Sequence, residues 1–181
     1  MYTDNVDKIL ISEQEIAKKI DEMGARITQD YAGKSIVMVG ILRGAVVFLS
    51  DLMRRINLPV QIDFISVSSY GASTRSSGVV RFQKDLESSI TGKHVLIVED
   101  IIDTGLTMRY LIDTLCTRDP ASIKTCCLLD KPSRRKTDIV ADYSGFEIPD
   151  AFVIGYGLDY NNDYRNLPFV GVLSPKAYAR K

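Results

Sequence analysis

The chain has 181 residues, 45% of them hydrophobic, and its 23 basic and 23 acidic residues give no formal net charge. This balance provides no overall electrostatic attraction to nucleic acid or to an acidic membrane surface, so any anion site must be local. No apolar run approaches the about 18 residues that a membrane span needs, and the N-terminus lacks the pattern of a secretion signal. We expect a soluble protein with a single domain over residues 1–181.

The cysteines and the histidine suggest no metal or disulfide framework. Cys116, Cys126 and Cys127 are odd in number, two are adjacent, and none has CxxC spacing. We therefore expect reduced thiols and a cytoplasmic location. His94 is the only histidine and has no partner at ligand spacing, so we expect no catalytic role for it.

The first half of the chain alternates helical and strand patterns. Ser12 and Glu15 form a capping-box signature ahead of apolar residues at helical spacing, which predicts a helix from Ser12 to about Tyr31. The run SIVMVGI (35–41) predicts a strand and GAVVFLSDLMRRI (44–56) a helix. VQIDFISVSS (60–69) alternates as a strand does, residues 69–78 are rich in Ser and Gly and indicate a loop, and VVRFQK predicts a returning strand.

The second half continues this alternation. HVLIV (94–98) predicts a strand, residues 104–118 a helix that ends before Pro120, and residues 124–130 and 151–157 two further strands. Continuous apolar strands between helices are typical of an α/β fold with a mainly parallel twisted sheet flanked by helices. In such sheets, ligands bind outside the carboxyl ends of the strands.

An acidic cluster follows the strand 94–98 in the sequence VLIVEDIIDTGLT. We expect Glu99, Asp100 and Asp103 in the loop at the end of this strand, because unpaired carboxylates are costly to bury. The DTGLT stretch supplies a glycine, two hydroxyls and the unpaired amides of a helix start, which suit a phosphate. Carboxylates beside a phosphate site indicate a sugar phosphate, and Mg²⁺ could share the site. An acidic surface turn is the alternative.

The stretch VLIVEDIIDTGLT resembles the phosphoribosyl-pyrophosphate motif of type I phosphoribosyltransferases. The chain from about Ile36 to Leu173 resembles the hypoxanthine (guanine) phosphoribosyltransferases in particular. The resemblance implies the type I fold, with a small hood region and a flexible catalytic lid loop. It implies that Glu99 and Asp100 hold the ribose hydroxyls near Mg²⁺ and that Asp103 is the general base for purine N7. The implied 5′-phosphate cradle comprises Asp103, Thr104, Gly105, Leu106 and Thr107.

Two further segments match the pyrophosphate loop and the lid. GILRGA (40–45) implies pyrophosphate contacts from Leu42, Arg43 and Gly44, with a cis peptide bond between Leu42 and Arg43. The alternative for this segment is a plain strand-to-helix turn with Arg43 solvated. SSYGASTRSSG (68–78) implies a lid that brings Ser69 and Tyr70 over the reacting centre, whereas its composition alone indicates only a flexible loop.

The implied purine site lies in two later segments. In LLDKPSRRK, Lys131 matches the residue that donates to the purine O6, although the basic run alone is more typical of a solvated turn. In the segment 146–169, Phe152 matches the aromatic that stacks on the purine, and Val153 the residue whose main chain bonds its edge. Asp159 matches a residue near the purine C2 and a second Mg²⁺, and Arg165 a pyrophosphate contact. Without the resemblance, Phe152 would be interpreted as a core aromatic.

The predicted reaction is the Mg²⁺-dependent transfer of the 5-phosphoribosyl group from phosphoribosyl pyrophosphate to N9 of hypoxanthine or guanine. The resemblance also implies a homodimer or homotetramer, with no nucleic-acid or membrane partner. One alternative is transfer to xanthine or another nucleobase. The other is a regulatory protein of this fold that binds nucleic acid, which the balanced charge disfavours.

Overall fold

The computed structural model describes residues 4–69 and 80–177. The strands are β1 (Val6–Ile11), β2 (Ile36–Leu42), β3 (Val60–Ser69), β4 (Val80–Lys84), β5 (His94–Ile102), β6 (Ser122–Asp130), β7 (Tyr143–Glu147), β8 (Val153–Ile154) and β9 (Val170–Leu173). The helices are α1 (Glu13–Asp30), α2 (Val46–Met53) and α3 (Leu106–Cys116), with short 3₁₀ turns at Pro132–Arg134 and Pro175–Ala177.

The central sheet has six strands in the order β4-β3-β2-β5-β6-β7. All neighbours are parallel except β4, which runs antiparallel to β3 at one edge. The chain leaves β2 toward β3 in one direction and leaves β5 toward β6 in the other, so the order reverses between β2 and β5. The loops that follow these two adjacent strands therefore open a crevice at their carboxyl ends, where ligands bind in this architecture.

Both faces of the central strands are buried, as the continuous apolar runs predicted. Met38, Leu96, Val98, Cys126 and Leu128 pack with α1 and α2 on one face. Their sequence neighbours Val37, Val39, Val95, Ile97 and Cys127 pack with α3 on the other face. This alternation follows the twofold period of a strand, and it fixes the register that brings the strand ends together.

The predicted helices are confirmed, with shorter bounds for two of them. Ser12 caps α1, accepting a hydrogen bond from the Glu15 amide while the Glu15 carboxylate accepts one from the Ser12 amide. The helices predicted over 44–56 and 104–118 comprise only Val46–Met53 and Leu106–Cys116. The residues in front of them form the loops that follow β2 and β5, and the left-handed conformation of Gly105 directly precedes α3.

A second, smaller sheet forms the hood and corrects one strand prediction. It consists of β1, β9 and β8 in that order, all antiparallel. The strand predicted over 151–157 is wrong in length and in place, because only Val153–Ile154 is extended and it pairs with β9. The glycines and left-handed residues that follow, including Tyr156, end the strand early.

The predicted lid lies almost entirely outside the described residues. Ser69 is the last residue of β3, and Tyr70 with the segment to residue 78 falls in the part that the structure does not describe. Within the described ranges, no helix is long and apolar enough to cross a membrane. His94 begins β5, and its Nδ1 lies 2.8 Å from Oγ of Ser122, at the far end of the strand from Glu99.

Candidate active site

The acidic pair lies within a strand and not in the loop after it. β5 continues through Ile102, so Glu99 and Asp100 belong to its last residues, and the loop prediction for them is wrong. Pairing with β6 extends this far, since Glu99 is opposite Cys127 and Ile102 is opposite Asp130. The strand backbone therefore fixes both carboxylates at the crevice more rigidly than a loop would.

The surroundings of this pair disfavour two negative charges. Asp100 is only 8% exposed, and its burial raises its pKa. Burial and the neighbouring Asp100 carboxylate raise the pKa of Glu99 well above its usual range. Two desolvated, repelling carboxylates favour a bound cation, and Mg²⁺ typically takes one or two carboxylates and completes its shell with water and phosphate oxygens. The donor set fits Mg²⁺.

Asp159 does not form a metal-binding group with this pair. Across the described ranges, no three His, Cys, Asp or Glu side chains form a group that could hold a metal ion. Asp159 Oδ1 lies 2.6 Å from Arg165 Nη2, and Oδ2 accepts a hydrogen bond of 2.8 Å from the Asn162 amide. Both of its oxygens are thus engaged within the loop after β8, and a role toward a second metal ion stays a prediction.

One cleft of about 250 Å³ lies over the loop from β5 into α3. Its lining includes most of the predicted phosphoribosyl residues: Glu99, Asp100, Asp103, Thr104, Gly105 and Thr107. Leu106 is the exception, because its side chain is exposed at the first turn of α3. The first amides of α3 have no acceptor within the helix, so this cleft has the donors that a phosphate needs.

A second cleft of about 450 Å³ contains the predicted purine residues. It is lined by Lys131, Phe152, Val153 and Asp159, together with Arg134, Asp150 and Ala151. Asp100, Ile101 and Asp103 line both clefts. A ligand that extends from one cleft into the other would pass directly over these residues, as a nucleotide with its phosphate in the first cleft would.

Lys131 and Phe152 are not the solvated lysine and core aromatic that their sequence context alone favoured. Lys131 is 6% exposed, and its ammonium donates a hydrogen bond of 2.7 Å to the main-chain carbonyl of Ala151. Phe152 is 49% exposed and meets Tyr160 edge to face, with ring centroids 5.7 Å apart. One ring face in an open cleft is a suitable surface for a flat heterocycle.

The loop after β2 reaches the same crevice. The Leu42–Arg43 peptide bond is cis, as predicted. A Cβ atom on Gly44 would collide with the Asp100 carboxylate, so only glycine allows this loop to approach the acidic pair. Arg43 is not simply solvated, because its Nη1 donates a hydrogen bond of 3.1 Å to Oδ1 of Asn162.

Arg165 is fixed beside this loop, although it lines neither of the two clefts. Its Nη1 donates a hydrogen bond of 2.6 Å to the Gly157 carbonyl, and Asp159 neutralises its other end. It borders a neighbouring cavity between α1 and α2. Its charge nevertheless acts on the site, since it opposes the increase in the pKa of Asp100.

Sequence reasoning missed two arginines that contact the predicted base. Arg134 Nε lies 2.9 Å from Oδ1 of Asp103, and its Nη1 donates a hydrogen bond of 3.3 Å to Asp150. Arg135 donates a hydrogen bond of 2.8 Å to the main-chain carbonyl of Asp103. The run of basic residues after Lys131 was the only sequence signal, and it does not distinguish these contacts from a solvated turn.

The site combines a crevice at the carboxyl ends of parallel strands, a pair of carboxylates and a cleft, which we name the phosphate cleft, at the start of α3. This combination is typical of α/β proteins that bind nucleotides or sugar phosphates. A family model, described as the phosphoribosyl transferase domain, matches residues 6–161. The hypoxanthine-guanine phosphoribosyltransferase of Bacillus subtilis (strain 168) is 52% identical over 178 residues, which cover 98% of this chain and 99% of the relative.

Solved structures agree with these sequence matches. A hypoxanthine phosphoribosyltransferase from Staphylococcus aureus superposes with a TM-score of 0.94 at 49% identity, covering 97% of this chain and 95% of the other. A hypoxanthine phosphoribosyl transferase from Trypanosoma cruzi, solved to address how its C-terminal region affects oligomeric state and activity, gives 0.92 at 47% identity, with coverage of 97% and 95%. The chain belongs to the phosphoribosyltransferase family, among the hypoxanthine-guanine phosphoribosyltransferases.

Proposed function

We propose that this protein is a purine salvage enzyme that transfers the 5-phosphoribosyl group from phosphoribosyl pyrophosphate to N9 of hypoxanthine or guanine. The products are inosine or guanosine monophosphate and pyrophosphate. The observation that carries the proposal is the meeting of the phosphate cleft and the purine cleft along Asp100, Ile101 and Asp103. This arrangement supports a position for the ribose between the two clefts, where its C1 would exchange pyrophosphate for the purine.

The phosphate end of the substrate would lie in the first cleft. The amides at the start of α3 would bind the 5′-phosphate, and the hydroxyls of Thr104 and Thr107 would add donors. Glu99 and Asp100 would accept hydrogen bonds from the two ribose hydroxyls, because ionised carboxylates are acceptors only. Mg²⁺, held by the same two carboxylates, would supply positive charge to the pyrophosphate oxygens when bound.

The leaving group would face the loop after β2. Breaking the bond between C1 and oxygen ahead of attack builds positive charge on the ribose and negative charge on pyrophosphate. Gly44 lets the main chain of this loop come within contact of Asp100, so its amides can stabilise the departing anion. Arg165, fixed by Asp159 and Gly157, contributes a preorganised positive charge from the adjacent loop.

The purine would occupy the second cleft. The ammonium of Lys131 donates one hydrogen bond to the Ala151 carbonyl and has further N–H groups for the purine. Because an ammonium can donate hydrogen bonds but cannot accept them, it prefers a 6-oxo group to a 6-amino group. Phe152 offers a ring face for stacking, and the Val153 main chain lies at the cleft wall. Asp103 would accept the N7 proton as N9 attacks C1 of the ribose, after the resting contact with Arg134 is released.

We also propose the domain organisation, the assembly and the cellular location of the protein. We place residues 1–181 in one catalytic domain that assembles as a homodimer or homotetramer. A cytoplasmic location is supported by the thiols, since Cys116, Cys126 and Cys127 are all free. Burial raises the pKa of the Cys127 thiol to about 12, which makes this group unreactive. No nucleic-acid or membrane partner is proposed.

A product assay tests the proposal. The protein is incubated with phosphoribosyl pyrophosphate and either hypoxanthine or guanine, and the nucleotide is identified by chromatography and mass. Product should appear with Mg²⁺ and disappear when a chelator is added in excess. If neither base gives a nucleotide while phosphoribosyl pyrophosphate still binds, the catalytic proposal is wrong and a regulatory role is favoured.

A further inference from the structure

The segment from Lys131 to Thr137, which we name the brace, lies along the loop that enters α3. Three successive carbonyls, from the last residue of β5 into that loop, accept hydrogen bonds from it. The Lys131 amide donates to Ile102 at 3.0 Å and the Lys136 amide donates to Thr104 at 2.9 Å. Between them, the guanidinium of Arg135 donates to the Asp103 carbonyl at 2.8 Å. A single side chain thus completes a ladder otherwise made of main chain.

Arg135 is itself held in place by burial and charge. Its side chain is 13% exposed and forms an ion pair with Asp130, whose side chain is 15% exposed at the end of β6. Asp130 is the last residue of a central strand and so is a rigid anchor. One arm of the guanidinium therefore points to the strand and the other to the main chain of the predicted base, a geometry that the planar fork of arginine allows.

The hydrogen bonds from the brace fix the direction of the loop amides. In a trans peptide unit the carbonyl and the following N–H point in opposite directions. Fixing the Asp103 carbonyl toward the brace therefore turns the Thr104 amide away from it. Thr104 lines the phosphate cleft, and none of the described residues of the brace is part of that lining. Gly105 permits the close contact, since a Cβ there would collide with Thr137.

We propose that Arg135 is a positioning residue for the 5′-phosphate site. It fixes the Asp103 carbonyl and so orients the loop amides toward the phosphate, without touching the substrate. The proposal rests on the proposed function, because it assigns a role to a phosphate in this cleft. The role of Arg135 differs from the roles of Lys131 and Arg134, which line the purine cleft and would act on the purine.

Two variants separate this role from a purely structural one. Arg135→Lys keeps a positive charge for Asp130 but has no second arm for the Asp103 carbonyl. The double variant Asp130→Asn with Arg135→Met removes the buried charges together, so neither is left unpaired. Arg118→Lys is the matched control, because Arg118 forms a bidentate pair with Asp85 away from both clefts.

The readout is the dissociation constant of ribose 5-phosphate by calorimetry, with the Michaelis constants of phosphoribosyl pyrophosphate and hypoxanthine. We expect both Arg135 variants to weaken the binding of ribose 5-phosphate by about 10- to 100-fold, the scale that the loss of an orienting partner has at metal sites. The Michaelis constant for hypoxanthine should change by less than about twofold. Arg118→Lys should match the parent protein in all three values.

Failure of the role proposed for Arg135 can be distinguished from failure of the proposed function. If Arg135→Lys binds ribose 5-phosphate as the parent does, or the double variant regains parental affinity, Arg135 merely neutralises Asp130 and the inference is overturned. If the parent protein binds no ribose 5-phosphate and forms no nucleotide, the proposed function fails and the inference with it. Circular dichroism and the unfolding midpoint of each variant exclude loss of the fold as the cause of weak binding.

Discussion

The ammonium of Lys131 donates a hydrogen bond of 2.7 Å to the main-chain carbonyl of Ala151, the residue directly before Phe152. The side chain at the end of β6 and the aromatic after β7 are thereby held in one arrangement at the purine cleft. A lysine that is 6% exposed and bonded this way is preorganised, and it loses little conformational entropy when a ligand arrives. This contact links the two segments that the base would lie between.

Substituting Lys131 should therefore impair purine use selectively. We expect Lys131→Met to raise the Michaelis constants for hypoxanthine and guanine by about 10- to 100-fold, the usual effect of losing a hydrogen bond to a charged group. Binding of phosphoribosyl pyrophosphate, measured by calorimetry, should stay within about twofold of the parent value. Arg118→Met is the control for the loss of a basic side chain. An effect confined to phosphoribosyl pyrophosphate would refute the purine assignment.

Asp103 should affect turnover more than binding. Asp103→Asn preserves the size of the side chain but cannot accept a proton, so kcat should fall by about 10²- to 10⁴-fold. The dissociation constant of phosphoribosyl pyrophosphate should change little, because Arg135 holds the main-chain carbonyl of Asp103, which this substitution leaves unchanged. Asp138→Asn is the matched control, since Asp138 is exposed and pairs with Arg109 outside both clefts. An unchanged rate in single-turnover kinetics would show that Asp103 is not the general base.

Gly44 should tolerate no side chain. In Gly44→Ala the new methyl group would collide with the Asp100 carboxylate and push the pyrophosphate loop from the acidic pair. We expect pyrophosphate and phosphoribosyl pyrophosphate to bind about 10²-fold more weakly, the scale set by a displacement of 1 Å in a site.

Gly33→Ala provides the control for this substitution. Gly33 has a φ of 76° and open space around it, so alanine there costs only backbone strain. We expect a loss of about 1 kcal/mol or somewhat more in the free energy of unfolding, with unchanged substrate binding. Equal binding losses in both variants would show that general destabilisation, and not the contact with Asp100, explains the effect.

The capping box of α1 predicts a pH dependence of stability. Hydrogen bonds from the Ser12 hydroxyl and amide lower the pKa of Glu15 below its usual value of 4.5. The unfolded chain then binds a proton more readily than the folded one, so this stabilisation is complete above pH 4.5 and is lost as the pH falls through the lowered pKa.

Urea denaturation at a series of pH values tests this sign. The difference in the free energy of unfolding between the parent and Glu15→Gln should shrink as the solution becomes acidic. Glu13→Gln is the matched control, because Glu13 is also in the first turn of α1 but forms no capping box. A difference that stays constant with pH, or that grows on acidification, would contradict the capping contribution.

The central strands were predictable because their chemistry is local. β2, β5 and β6 are continuous apolar runs bounded by turn residues, and burial on both faces requires no more than that. The hood was not predictable in this way. β1 pairs with β9, with Val6 opposite Leu173, so its strands are defined by contacts between distant segments and not by their own pattern.

The site also contains residues that could be predicted from local sequence and residues that could not. The acidic pair and the TGLT turn carry a chemical signal in sequence, because carboxylates and a glycine at a strand end suit few other roles. Arg134, Arg135 and Lys136 are adjacent basic residues, yet of the three only Arg135 has a largely buried side chain. What separates them is the position of Asp130 and of the loop before α3, which depends on the packing of the whole sheet.

The purine specificity of the enzyme is tested most directly by a comparison of nucleobases at saturating phosphoribosyl pyrophosphate and Mg²⁺. Pyrophosphate release is followed with hypoxanthine, guanine, xanthine, adenine and uracil in parallel, and kcat/KM is determined for each. We expect turnover of hypoxanthine and guanine, with adenine and uracil inactive. Turnover of adenine or uracil, or of xanthine alone, would keep the sugar-phosphate cleft but contradict the purine site built around Lys131, Phe152 and Asp103.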